Sequence, residues 1–202
     1  MAERQERSTT TRALILDAAA HEFDMLGYGG ASIGSIAARA GVAKGLIQYH
    51  FRTKAQIART LVESTFRENV FMPPDGVGDR RGLAAIAFNS SHVAHTFVEN
   101  LTARASMRLL DERSQIEAEL PVPYVGWIAV AKAFLEQARE DGEVPADIDA
   151  EAEAWILVAG TFGVEHVSAR LNEFERVPER AARFLRAQFI ALGATGVDAL
   201  FD

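Results

Sequence analysis

Between residues 32 and 54 the chain gathers side chains that can grip a polyanion and read hydrogen-bonding edges. Lys44 and Lys54 are flexible cations suited to phosphate oxygens. Gln48 can pair with the N6/N7 edge of adenine or reach a phosphate. Tyr49 and His50 can donate to phosphates, which positions a protein on DNA without specifying a base. Gly45 removes a side chain where two backbones must approach closely. Arg12, further upstream, is another candidate for a phosphate. Plainer readings stand beside these. Tyr49 and Phe51 can serve as core anchors, and His50 can cap a helix or sit on the surface.

The elements that must hold these groups are short helices. Ser32 is a good N-cap, its hydroxyl placed to accept from the first turn. Ile33, Ile36, Ala37 and Ala40 then give one apolar helical face. Gly41 ends that helix, because glycine takes the left-handed conformation at little cost. A second short helix carries Lys44 to Phe51, and Thr53 caps a third that begins at Lys54. Helix, glycine turn, helix is the geometry that seats a second helix in the DNA major groove, with Ser32 at the entry.

The block resembles the DNA-binding domain of the TetR family of transcriptional repressors. The resemblance rests on Ile36, Ala37, Ala40, Gly41 and Val42, then Lys44-Gly45, Tyr49-His50-Phe51 and Lys54. Ala43 stands where the family commonly has Ser or Thr, and Gln48 where an aromatic is common. A second resemblance, to the γ-butyrolactone receptor branch, rests on residues 103–113, on Ala118 to Trp127 and on Val164-x-His166-Val-Ser168. That branch includes receptors for furan-type signals that control antibiotic biosynthesis. It implies that Trp127, after the Pro-x-Pro segment, lines a signal pocket. Trp127 can instead be a core anchor. Tyr124 adds a hydroxyl nearby, and Thr161 is either a ligand donor or bonded back to its own helix. Phe66 and Leu110 are candidate apolar walls, and core packing is the plainer reading of each.

Charge supports the division of labour. The net charge is −7, yet residues 1–60 carry eight Lys/Arg against five Asp/Glu. Residues 43–59 hold Lys44, Arg52, Lys54 and Arg59 with no acid. An acidic remainder would repel DNA and orient docking.

The chain reads as all-α, with about nine helices. An N-terminal helix-turn-helix domain spans 1–54, and a helical-bundle ligand-binding and dimerisation domain spans 55–202. Residues 1–8 read as a polar tail whose Arg4 and Arg7 could touch phosphate. The first helix opens at Thr9 to Thr11 and stops at Gly27, Gly29 and Gly30. Helices follow over about 54–72, 82–100, 102–113, 124–140, 149–172 and 178–193. Residues 73–79 and 141–149 are loops, and Pro121 and Pro123 break the chain. In the last pair, Ala159, Gly160 and Gly163 permit close helix approach. Two such helices per subunit could build a four-helix homodimer interface, or an intrachain core.

Several classes recede. No cysteine is present, which removes disulfides and thiolate chemistry and suits the cytoplasm. No apolar run approaches the roughly 18 residues of a membrane span. No glycine-rich phosphate loop, Gly-x-Ser-x-Gly elbow or His-Glu-x-x-His is present, so no enzyme and no cofactor is expected. His92 and His95 suit a metal by spacing but lack an obvious third ligand. The expected partners are a near-palindromic operator DNA, a small hydrophobic signal (a butyrolactone or a furan) and a second subunit. A furan carboxylate would want a cation, for which Arg104 and Arg108 are the candidates. A multidrug-type sensor of the same fold, or an adaptor without DNA binding, is the alternative.

Overall fold

The computed structural model describes residues 2–201, without the side chains of residues 2–5 and 7. Arg4 and Arg7 therefore lie outside the described side chains. Nine α-helices and three short 3-10 turns are present, with no strand among the described residues. The helices are α1 (Ala2–Gly30), α2 (Ile33–Ala40), α3 (Lys44–His50), α4 (Lys54–Arg67), α5 (Gly82–Glu99), α6 (Leu101–Asp111), α7 (Tyr124–Glu140), α8 (Ala150–Arg170) and α9 (Val177–Ala191).

Packing forms two compact units. The first comprises residues 1–69 and 100–122, the second 70–99 and 123–202. This partition differs from a cut at 54. The reason is that α4 and α6 pack together and both pack on α1. A buried bond between Thr65 and Ser106 hydroxyls, 2.7 Å, joins α4 to α6.

The first unit is built by local signals that the chain encodes plainly. Ser32 caps α2 by accepting from Ser35 N–H at 2.9 Å, and Ser35 Oγ accepts from Ser32 N–H at 3.1 Å. This reciprocal box satisfies two donors that a helix start otherwise leaves open. Gly41 closes α2 at φ 65°, and Thr53 caps α4 by accepting from Gln56 N–H at 3.1 Å. Ile15, Ala19, Phe23, Ile36, Ile47, Phe51, Ile57 and Val62 are fully buried or nearly so and form the core.

Two local expectations shift. The first helix starts well before Thr9 and bends at Gly27, whose φ of 70° needs glycine. The fourth helix stops at Arg67 rather than near 72, and turns follow up to the start of α5.

The second unit packs α5 against α7 and α9, and α8 against α7 and α9. Leu83, Ile86, Leu135, Leu157, Leu185 and Phe189 form its core. Gly160 has an internal duty there, because a Cβ would collide with the Phe184 ring.

Candidate DNA interface and ligand cavity

Helix α3 is almost bare. Only Ile47 is buried, and it ties the helix to the core. Lys44, Gly45, Gln48 and Tyr49 face solvent, Tyr49 at 73 % exposure. Phe51, at 1 %, takes the anchoring role instead. The two aromatics that flank His50 thus divide into one outside and one inside. The Tyr49 ring stands edge-on to His50, with centroids 5.1 Å apart. A Cβ on Gly45 would meet nothing within 4 Å, so no neighbour in this chain requires glycine there.

Arg12 reaches the same end of the site. It is exposed, and its guanidinium carbon lies 5.0 Å from the Phe51 ring centroid. Stacking of this kind holds a cation in place while leaving its edge to solvent. Arg52 is also exposed.

Lys54 stands apart from the exposed cations. Its ammonium donates to the Tyr28 and Ala31 carbonyls, the second at 2.9 Å, and lies 4.1 Å from the Tyr28 ring centroid. Burial lowers its pKa. It fastens the start of α4 to the end of α1, and so acts on the reading helix through position. Arg59 is likewise engaged, in an ion pair with Glu63 at 2.6 Å. Of the four cations in 43–59, Lys44 and Arg52 keep their charge on the surface without an ion pair among the described residues.

The angle of α2 is held by polar clamps to its neighbours. Arg39 donates to the buried Glu22 at 2.7 Å, and this bond, the largest cause, lowers the Glu22 pKa. The end of α1 is gripped by α6, where Glu112 accepts from Tyr28 N–H at 2.6 Å and Arg108 donates to the Asp24 carbonyl. Arg104 pairs with the Asp24 carboxylate at 3.4 Å.

The second unit contains a pocket, partly open to solvent, between α5, α7, α8 and residues 71–72. Its wall is apolar and aromatic, with Phe71, Ile86, Val93, Trp127, Phe134, Leu157 and Phe162 among its members. Asn89, Ser90 and Thr161 supply the polar side chains, and no charged residue lines it among those described. Trp127 stacks on Phe162 with centroids 4.7 Å apart and meets Phe71 edge-on at 5.5 Å. Tyr124 packs edge-on against both Trp127 and Phe162, behind the lining residues.

Thr161 does two things. It lines the pocket, and its hydroxyl donates to the Leu157 carbonyl at 2.9 Å. Its lone pairs stay available as acceptors. Phe66 and Leu110 do not sit at the pocket. Both belong to the first unit, and neither is among the lining residues. Their helical spacing could not show which of two cores each would join. Arg104 and Arg108, the candidate cations for a carboxylate ligand, also belong to the first unit and are engaged with Asp24 and Glu112. His92 meets the Val70 carbonyl at 3.1 Å, and His95 meets the Ser91 carbonyl at 2.8 Å. No group of three metal-ligating side chains occurs among the described residues. No described helix is long and apolar enough to cross a membrane.

Asn89 escaped the sequence reading. Its signal was an Asn-Ser pair in the apolar run of α5. Glu165 escaped as a buried group too. It continues the lining face of α8 one turn beyond Thr161, it is 3 % exposed, and neither carboxyl oxygen has a hydrogen-bond partner. Burial raises its pKa well above the ordinary carboxylate value.

Comparison with known proteins agrees with both halves. Residues 15–61 match the bacterial regulatory proteins of the tetR family, and residues 81–192 match the tetracyclin repressor-like C-terminal domain. The A-factor receptor protein of Streptomyces griseus is 33% identical over 165 residues, which is 82% of this chain. The match spans only 57% of that relative's length. The structure of CprB from Streptomyces coelicolor in complex with its operator sequence aligns with a TM-score of 0.75 at 31% identity, covering 88% of this chain and 86% of that one. The structure of an ArpA-like gamma-butyrolactone receptor aligns with a TM-score of 0.71 at 28% identity, covering 96% of this chain and 98% of that one. With its two halves matched in order and such relatives sharing the fold, the chain belongs to the TetR family of bacterial transcriptional regulators and is related to the A-factor and γ-butyrolactone receptors.

Proposed function

We propose that this chain is a ligand-responsive repressor. A ligand-free homodimer binds a near-palindromic operator with one α3 per half-site. A small neutral signal of the γ-butyrolactone type enters the α5–α7–α8 pocket and releases the DNA. The genes controlled belong to secondary metabolism.

The observation that carries this reading is the apolar pocket around Trp127, within a chain that also displays a nearly bare α3. Lys44, Arg12 and His50 serve phosphates, and Gln48 faces the base edges. Ser32 sets the entry of α2, and the site at Gly45 lets the DNA backbone come close. Lys54 contributes by holding α4 in place. Trp127 and Thr161 contact the signal, and Tyr124 supports Trp127.

The wall favours a neutral ligand. A furan carboxylate would bury a charge with no cation beside it, which is costly. The name of the ArpA-like neighbour, a gamma-butyrolactone receptor, speaks for the lactone class as well.

The dimer reading rests on the outer faces of α8 and α9. Trp155, Ile156, Val167, Leu171 and Ile190 are 42–60 % exposed there. Gly163 on α8 has no internal neighbour that would exclude a Cβ. A second copy can bury this face.

The signal acts only if it binds the released conformation more tightly than the DNA-bound one. The chain crosses between the two units at 69/70, 99/100 and 122/123, so a change at the pocket has three covalent routes to α4 and α6.

A gel shift on the protein's own promoter tests the whole reading. Selective retardation reversed by an alkyl γ-butyrolactone supports it, and Trp127→Ala should remain on the DNA when the lactone is added. Release by assorted hydrophobic drugs but not by lactones would indicate a multidrug sensor. No selective retardation at all would indicate an adaptor.

A further inference from the structure

The entry to α2 and the exit from α3 meet at one cation. Lys54, the first residue of α4, donates to the carbonyls of Tyr28 and Ala31. Ala31 is followed at once by Ser32, the N-cap of α2. Phe51, Arg52 and Thr53 lead from the end of α3 to Lys54, with Phe51 buried and Thr53 capping α4.

The same turn of α1 is held from α6. Gly27 bends α1 at φ 70°, and the next residue, Tyr28, donates its N–H to Glu112 Oε2 at 2.6 Å. A Cβ on Gly27 would overlap the Glu112 carboxylate, so bend and carboxylate fit each other closely. Glu112 is the C-cap residue of α6, and its other oxygen accepts from Arg108 at 3.2 Å. Tyr28 thus carries Glu112 on its N–H and Lys54 on its carbonyl. Only the two soft torsions of one residue separate those bonds, so one cannot shift far without pulling on the other. Burial lowers the Lys54 pKa, and the Glu112 charge opposes that lowering. A carboxylate has no attraction for a polyanion, so anything Glu112 adds to operator reading comes through position.

We infer that Glu112 is a positioning residue for the reading helix. It fixes the bend of α1 at Gly27, and through Tyr28 and Lys54 it sets the angle at which α3 meets DNA. This rests on the DNA-binding reading above. Readout of base edges by Gln48 needs that angle, whereas attraction to phosphates does not. The clamp therefore governs selectivity for the operator and leaves general affinity for duplex DNA in place.

Fluorescence anisotropy with the full-length protein tests this on two labelled duplexes of equal length, a fragment of its own promoter and a scrambled sequence. Active protein is counted by titration, so a smaller folded fraction does not mimic weaker binding. Glu112→Ala should weaken promoter binding by about tenfold. Its binding to the scrambled duplex should be unchanged or slightly tighter, since an acid has gone. Glu112→Gln keeps an acceptor for the Tyr28 N–H and should recover most of the loss. Lys54→Met, similar in length and uncharged, should also lower the ratio of promoter to scrambled affinity. Its slope of log affinity against log salt should stay that of wild type, because the ammonium faces carbonyls. Adding Glu112→Ala to Lys54→Met should cost far less than Glu112→Ala costs alone. Unchanged promoter affinity in Glu112→Ala overturns the inference, as do equal losses on both duplexes, which would show that the clamp serves only the fold. No recovery in Glu112→Gln, losses that multiply in the double variant, or a salt slope reduced by about one in Lys54→Met overturn it too. Each of these leaves the DNA-binding reading standing. Equal binding of both duplexes by wild type removes that reading and this inference with it.

Discussion

The two units differ in how fully the buried side-chain oxygens near their cores are met. In the first, polar side chains near the core are paired across helices: Arg39 with Glu22, Thr65 with Ser106, Lys54 with the Tyr28 and Ala31 carbonyls. Its exposed helix α3 can then face a polyanion while its angle stays fixed. In the second, apolar and aromatic contacts dominate, and Asn89 Oδ1 and both Glu165 oxygens lack partners. A unit that must hold an outer surface still is wired. The second unit, which holds the pocket, is packed and leaves these oxygens unmet.

Variants can break or sharpen this contrast. The largest change should come from Gly160→Val, which drives a branched side chain into the Phe184 ring between α8 and α9. Overpacking costs about 1–3 kcal/mol or more, so thermal unfolding should fall by several degrees. Gly163→Val is the matched control. It should leave the protomer's secondary structure intact and shift sedimentation from dimer to monomer.

Glu165→Leu should act in the other direction. Burial raises the pKa of the folded carboxyl, whereas in the unfolded chain it ionises near the ordinary 4.5. As pH rises above that value the unfolded chain releases a proton that the fold retains. Stability therefore falls with rising pH, until the folded carboxyl itself ionises. Leu should stabilise the protein by about 1–3 kcal/mol at pH 8, with an advantage that shrinks toward pH 4. Denaturant melts at the two pH values read this. An advantage independent of pH would show that Glu165 is ionised in the fold.

Lys44→Ala should weaken operator binding by roughly tenfold and reduce the slope of log affinity against log salt by about one. Lactone affinity measured without DNA should not change. The smallest effect is expected for Gly45→Ala. Removing a helical glycine should raise stability by about 0.5–1 kcal/mol, yet the added methyl should lower operator affinity. Gains in both would show that no partner approaches α3 closely at that residue.

Much of the first unit was readable from the chain because its devices are local. A serine three residues before another serine, a glycine after the last apolar position and a threonine before Lys54 each act within one helical turn. The aromatic Trp127 and the hydroxyl of Thr161 also came into view as pocket members, the first by resemblance and the second by its isolation in an apolar run. Helix limits in the second unit came within a few residues, since proline and glycine interrupt the chain between them.

What periodicity leaves open is the partner of each face. Phe66 and Leu110 have the spacing of buried residues in either unit, and only packing put them in the first. Lys54 has the chemistry of a phosphate contact, and only the folding of α1 against α4 turned its ammonium onto two carbonyls. Asn89 and Glu165 are ordinary polar residues in sequence, and their cost exists only once the second unit closes around them. Local bonding decided where helices begin and end. Competition among distant side chains for one interior decided which of them face a ligand, because burial is a property of the assembled helices and of no single stretch of chain.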